Sequence, residues 1–138
     1  MDYVKLQNLM QWRADLMTSG RIEDLGREHM FPLVLYLGDR QHVVNTLDGY
    51  IALVQRLRSA HPGMINLHAE VTAMDLPRHG RFRVWVTYRE KTAVGRGLVQ
   101  AKAVHFCRET AMGIRTEMSE YAQCSPPRLW SHQALRLA

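Results

Sequence analysis

Seven histidines, two cysteines and one arginine set among apolar residues are the side chains of this sequence best equipped for chemistry. The histidines are His29, His42, His61, His68, His79, His105 and His132. A metal site needs three or four ligands at suitable spacing. There is no helical H-E-x-x-H and no Cys-x-x-Cys, and only His105 and Cys107 share a strand face, so neither a metal nor a cofactor is expected. General-base chemistry asks for a histidine facing an apolar cavity, where its proton exchanges near working pH. His105 meets that requirement if the face carrying Ala101 and Ala103 is the inner one, and His68 if its strand turns its polar face inward at the mouth of the fold. The alternative for each is an ordinary hydrogen-bonded or solvent-facing ring. Arg13 lies seven residues after Leu6 and three before Leu16, inside an apolar helical stripe. Its guanidinium either snorkels to water or lines an anion-binding pocket. Cys107 and Cys124 are expected as two reduced thiols.

A second group of residues suits binding more than reaction. Trp85 stands between Arg83 and Thr87, on the strand face opposite Val84 and Val86. An aromatic ring beside arginines on an outer sheet face is the composition enriched at protein interfaces. The net charge is +5, and from Arg78 to Arg108 eight basic residues face Glu90 alone, which suits a polyanion as well. One tryptophan is too few for a base-stacking platform, so nucleic acid is not the expected partner.

These residues need elements to hold them. Leu6, Leu9, Met10, Leu16 and Met17 recur at helical spacing and predict a helix from Tyr3 to Ser19 closed by Gly20, followed by a short helix from Ile22 to His29. Phe31–Leu37 reads as a strand ended by Gly38-Asp39, with Gln41–Asn45 as a short partner. Thr46 or Asp48 caps a further helix carrying Tyr50, Ile51, Val54 and Leu57, which stops before His61-Pro62-Gly63. The period then changes to two. Strands over 64–76, 81–89, 98–108 and 112–121 follow with no helix between them and should pair as an antiparallel meander. Leu9, Leu16, Ile51, Val54, Val84, Val86 and Ile114 are expected in the core, with Tyr88 on the inner face; neither face of strand 98–108 is plainly the inner one, and Gln100, Lys102, Arg115 and Glu117 flank Trp85 outside if the Val99 face is inward.

The reading is of one domain over 1–122 with a tail at 123–138, begun by Pro126-Pro127. Hydrophobic residues make up 46% of the 138 and charged residues 22%, which is globular composition and not that of a disordered chain. The longest apolar run, Met30–Leu37, is far short of the roughly 20 residues a membrane helix needs. The N-terminus carries no apolar signal region, so a cytoplasmic, membrane-free protein is expected.

The order helix, short helix, strand pair, helix and four long strands resembles the nuclear transport factor 2-like superfamily, over about Leu6 to Tyr121. Phe31-Pro32-Leu33-Val34-Leu35-Tyr36-Leu37 with the helix from Asp48 to Arg58 looks like the same part of its bacterial, polyketide-cyclase-like members. The resemblance implies an α+β roll, a cone-shaped curved antiparallel sheet packed on two to three N-terminal helices. It implies no single activity, because members include isomerases, dehydratases, cyclases, transport adaptors and subunits without a reaction. Tyr36 and Asp39 lie near the strand that carries ketosteroid isomerase chemistry, but its full set of a tyrosine and two carboxyls has no counterpart here residue by residue. Two functions follow as expectations. One is a pocket for a small apolar or carboxylate-bearing molecule, with Arg13, Tyr36, Tyr88, His105 and His68 as candidates. The other is a homodimeric interaction module whose pocket is filled by its own side chains. In either case the resemblance implies a homodimer through the outer sheet face, with Trp85, Arg83, Gln100, Lys102 and Arg115 as the interface candidates.

Overall fold

The computed structural model describes residues 2–60, 66–91 and 96–122; His61, His132, Cys124 and the expected tail lie outside them. Helix α1 (Tyr3–Ser19) begins where Asp2 accepts the Lys5 N–H at 2.8 Å and ends at Gly20, whose φ of 82° is left-handed. Its buried face is Leu6, Met10, Arg13, Ala14, Leu16 and Met17, so Leu9 sits at the edge and is only partly buried. Helix α2 (Ile22–Gly26) is shorter than the sequence suggests, and the chain enters strand β1 (His29–Leu37) at His29 itself. Strand β2 (Arg40–Val44) folds back on β1. Thr46 then caps helix α3 (Leu47–Ala60) by accepting the Gly49 N–H at 3.1 Å.

Strands β3 (Leu67–Met74), β4 (Arg81–Lys91), β5 (Arg96–Thr110) and β6 (Gly113–Ala122) form the expected antiparallel meander. The β3–β4 connection turns on His79 and Gly80, both at positive φ, the geometry of a tight hairpin whose twist matches its strands. The six strands lie in the order β2-β1-β6-β5-β4-β3. The sheet is not wholly antiparallel, because β1 runs parallel to β6. The long excursion through β2, α3 and β3 to β5 lets β1 meet the last strand in that sense.

The helices cover one face of this sheet, and its core holds Leu33, Leu35, Leu37, Val54, Leu57, Val84, Val86, Ala101 and Ala103. Leu16, Val54, Val84, Val86 and Ile114 are buried as expected, whereas Ile51, like Leu9, is only partly so. Bulges break the simple alternation at several points. Thr72 on β3, Gln100 on β5 and Glu117 on β6 are each an extra residue against the partner strand. The Glu117 bulge reverses the faces of the last strand. Ile114 and Thr116 point inward before it, Ser119 and Tyr121 after it, and Met118 is left only partly buried.

Helix α1 also closes one edge of the sheet. Gln7 and Gln11, one turn apart, each accept a β3 backbone N–H and donate to a β3 carbonyl, at Val71 and Ala69 and at Ala69 and Leu67. Tyr3 adds a bond to the Val71 carbonyl at 3.1 Å. Amide side chains thus stand in for a missing strand on an edge that could otherwise recruit one.

The packing of α2 on α3 has no room to spare. A methyl group at Gly26 would run into Leu47 and come within 3.0 Å of the Tyr50 ring. Gly26→Ala should therefore lower stability by about 1–3 kcal/mol despite alanine's better helix propensity. A urea midpoint equal to or above that of the wild type would show that the α2–α3 contact yields freely.

Candidate functional site

Arg13 does not snorkel. It is 6% exposed, and its guanidinium reaches from α1 across the core. Nε donates to Glu28 Oε1 at 3.1 Å, Nη1 to Thr116 Oγ1 at 2.9 Å and Nη2 to the Ile114 carbonyl at 2.8 Å. The second oxygen of Glu28 lies 3.7 Å from Arg115. Glu28 is held in place by its own backbone, whose carbonyl accepts the Thr116 N–H at 3.0 Å. One buried carboxylate thus answers two guanidinium groups, and α1, the start of β1 and β6 are tied together by charge-assisted bonds.

A second chain of polar groups crosses β4, β5 and β6. His105 is 5% exposed, with Nε2 2.8 Å from the Tyr88 hydroxyl and Nδ1 2.7 Å from Ser119 Oγ. Burial, with Arg13 nearby, holds its pKa down at about 3, so the ring is neutral. One ring nitrogen donates to one of these hydroxyls and the other accepts from its counterpart. Ser119 also hydrogen-bonds Tyr121, whose hydroxyl, like those of Tyr50 and Tyr88, is pushed up chiefly by burial. His29 is neutral for the same reasons, with a pKa of about 3. Its Nδ1 lies 3.0 Å from the Leu25 carbonyl, which can only accept, so Nδ1 carries the proton and Nε2 is left as an acceptor. Its ring sits 4.7 Å from that of Tyr50. The Cys107 thiol is raised by burial, which makes it a packed side chain and not a nucleophile.

Between these groups lies a cavity of about 40 Å³, bounded by Arg13, His29, Tyr50, Tyr88, His105 and Tyr121 together with apolar side chains of α1. Sites for small organic ligands run to about 300–1,000 Å³, whereas a water molecule in the liquid occupies about 30 Å³. This interior has room for a water or two. Among the described residues no group of three or more histidine, cysteine or acidic side chains could hold a metal.

Of the five residues expected around an interior pocket, Arg13, Tyr88 and His105 meet there. His68 and Tyr36 do not. His68 is exposed, because alternation along β3 turns Leu67 and Ala69 inward and leaves it outside. Tyr36 lies on the outer face of β1, opposite Glu120 of β6, where its hydroxyl accepts from Gln41 at 3.2 Å. Glu28, Thr116, Ser119 and Tyr121 escaped the sequence reading, and His29 and Tyr50, seen there as a histidine and a helix residue, were not placed at the pocket. A charged residue on an apolar stripe was the available signal, since a buried arginine requires a buried acceptor.

The outer face carries the larger concavity, about 670 Å³, lined by Tyr36, Trp85, Thr87, Lys102, Val104 and Glu120 among others. Trp85 is half-buried, and the Arg83 guanidinium stacks 4.9 Å from the centre of its ring. Arg83 is itself paired with Asp75 at 2.7 Å. Arg115 turns towards Glu28 and away from this groove, and Gln100 sits in its bulge; neither lines the concavity. The basic run is also less bare than its order in the chain suggests. Arg81 and Arg108 share Glu117, Arg89 pairs with Glu70 and Lys91 with Asp15. Folding brings acids from other segments among the arginines, which weakens the field a polyanion would need.

No family model matches the chain, and no curated protein matches it. Solved structures do. A nuclear transport factor 2-like protein of unknown function from Shewanella oneidensis superposes with a TM-score of 0.67 at 10% identity, over 89% of this chain and 100% of that one. A domain of unknown function with a cystatin-like fold from Nostoc punctiforme gives 0.64 at 12% identity, over 88% of this chain and 76% of that one. A putative calcium/calmodulin-dependent protein kinase II association domain from Xanthomonas campestris gives 0.63 at 8% identity, over 88% and 87%. The chain has the nuclear transport factor 2-like α+β cone fold, and its described residues form three helices on a curved, unclosed six-stranded sheet. No helix among the described residues is long and apolar enough to cross a membrane.

Proposed function

We propose that this protein is a non-catalytic interaction module that acts as a homodimer through the outer face of its sheet, with an interior occupied by its own side chains. The observation that carries this reading is the contrast between an interior cavity of about 40 Å³ and an outer groove of about 670 Å³. Within the cone Arg13 already has three acceptors and His105 two hydroxyl partners, so the groups best suited to chemistry are engaged with one another. Outside, Tyr36 and Trp85 line a depression edged by charge, the anatomy of an interface with an aromatic centre. The likeness to an association domain from Xanthomonas campestris agrees with such a role.

The test is Trp85→Ala measured by sedimentation equilibrium. Loss of the ring should weaken the dimer by about 2 kcal/mol, roughly 30-fold in dissociation constant, if Trp85 is near the interface centre. A dimer of unchanged affinity would move the contact to another face. The competing reading is a small carboxylate bound in the cone, and the surplus of guanidinium over carboxylate at Arg13, Arg115 and Glu28 favours it. A thermal-shift panel of short carboxylates separates the two. The interaction reading predicts no shift, whereas a ligand at a hundred times its dissociation constant would add about 2.7 kcal/mol.

A further inference from the structure

We infer that Lys102 and Glu120 set the register of the dimer, each pairing with the other residue type on the second copy of the chain; this inference rests on the homodimer proposed above. Both residues line the outer groove, both are exposed, and neither has an ion-pair partner among the described residues. That sets them apart from the other charges of this face, since Arg83, Arg89, Arg81 and Arg108 are all answered within the chain. Glu120 reaches the outer face only because of the Glu117 bulge, which turns Ser119 and Tyr121 inward.

The strand register fixes their relation. Lys102 stands opposite Ala122, and Val104 opposite Glu120, on neighbouring strands. Lys102 and Glu120 therefore occupy opposite corners of one block of four residues, about 7–8 Å apart on the diagonal. When two such faces meet about a two-fold axis lying between them, the same patch serves on both copies. An axis passing over Val104 and Ala122 brings each Lys102 onto the partner's Glu120, twice, and sets Val104 against its own copy beside Trp85. Two opposite charges at the corners make the patch complementary to itself, whereas two like charges would repel.

This arrangement makes a test that a merely exposed pair of charges would not satisfy. Lys102→Glu puts carboxylate against carboxylate at both contacts, and Glu120→Lys puts ammonium against ammonium. Each variant alone should self-associate at least tenfold more weakly than the wild type in low salt. Mixed together, the two should form a heterodimer in which both contacts are again of opposite sign. The double variant should also recover its homodimer. Circular dichroism and melting temperature confirm that these exposed substitutions leave the fold intact. Single variants that dimerise like the wild type overturn the pairing and leave the homodimer standing. Weakened variants that fail to rescue one another also overturn it. A wild-type chain that is monomeric at micromolar concentration removes the dimer itself and the pairing with it.

Discussion

Arg13→Met is expected to cost about 3–5 kcal/mol of stability, because it strips Glu28 of its main partner inside the protein. The side chain is similar in length and apolar, so the filling of this buried position is largely kept. What is lost is the fork of bonds to Glu28, Thr116 and the Ile114 carbonyl. The penalty comes mainly from the groups left behind, an acceptor carbonyl and the carboxylate of a side chain that is only 12% exposed. Arg115, at 3.7 Å, is the only remaining counter-charge close to Glu28 among the described residues. A fall in melting temperature of about 10 °C or more follows. The mechanism has its own signature: Arg13→Met combined with Glu28→Gln should be less destabilised than Arg13→Met alone, since the second change removes the stranded charge. A double variant at least as unstable as the single would place the loss in packing and not in the ion pair.

Acid should weaken the fold from about pH 6.5 downward, and His105 supplies much of the effect. The unfolded chain protonates this ring near pH 6.5, the folded chain only near 3. Above pH 6.5 the ring is neutral in both states and pH does not change its contribution. Below it the unfolded state binds the additional proton, so stability falls by about 1.4 kcal/mol per pH unit for one histidine until the folded ring also titrates. From pH 6.5 to pH 5 this is about 2 kcal/mol. His29 acts in the same direction, its pKa also being held down at about 3 by burial. His105→Gln keeps a donor and an acceptor for Tyr88 and Ser119 but cannot titrate. Urea denaturation across this range should give the variant a shallower slope, by about one proton. Parallel slopes would mean that His105 is protonated in the folded protein.

The sequence made the outline of this fold legible because its periods are long and clean. Seventeen residues of helical spacing ended by Gly20, and the switch to alternation after His61-Pro62-Gly63, leave few architectures open. Three kinds of information were not available. The bulges at Thr72, Gln100 and Glu117 add one residue each without any change in composition, so simple alternation continued from Ile114 would put Met118 inside and Ser119 outside, the reverse of what the fold shows. Contacts between distant segments were hidden too. Arg13 could be seen as anomalous, but Glu28 follows a five-residue helix with little pattern, and Thr116 looked like any polar strand residue. Charge was legible as a sum and misleading as a map, since Asp15, Glu70, Asp75 and Glu117 reach the basic run only through folding. Where the period held, as at Val84 and Val86, the inner face was read correctly and Trp85 on the outer face followed from it, whereas both faces of β5 carry apolar residues and only the fold turns Ala101 and Ala103 inward.

The account turns on the outer sheet face being a surface that a second copy covers. Light scattering of the wild-type chain at micromolar concentration in moderate salt tests this most directly. The account predicts a mass of about 32 kDa, twice the 16.0 kDa of one chain. A mass of 16.0 kDa that persists as the concentration is raised tenfold would contradict it.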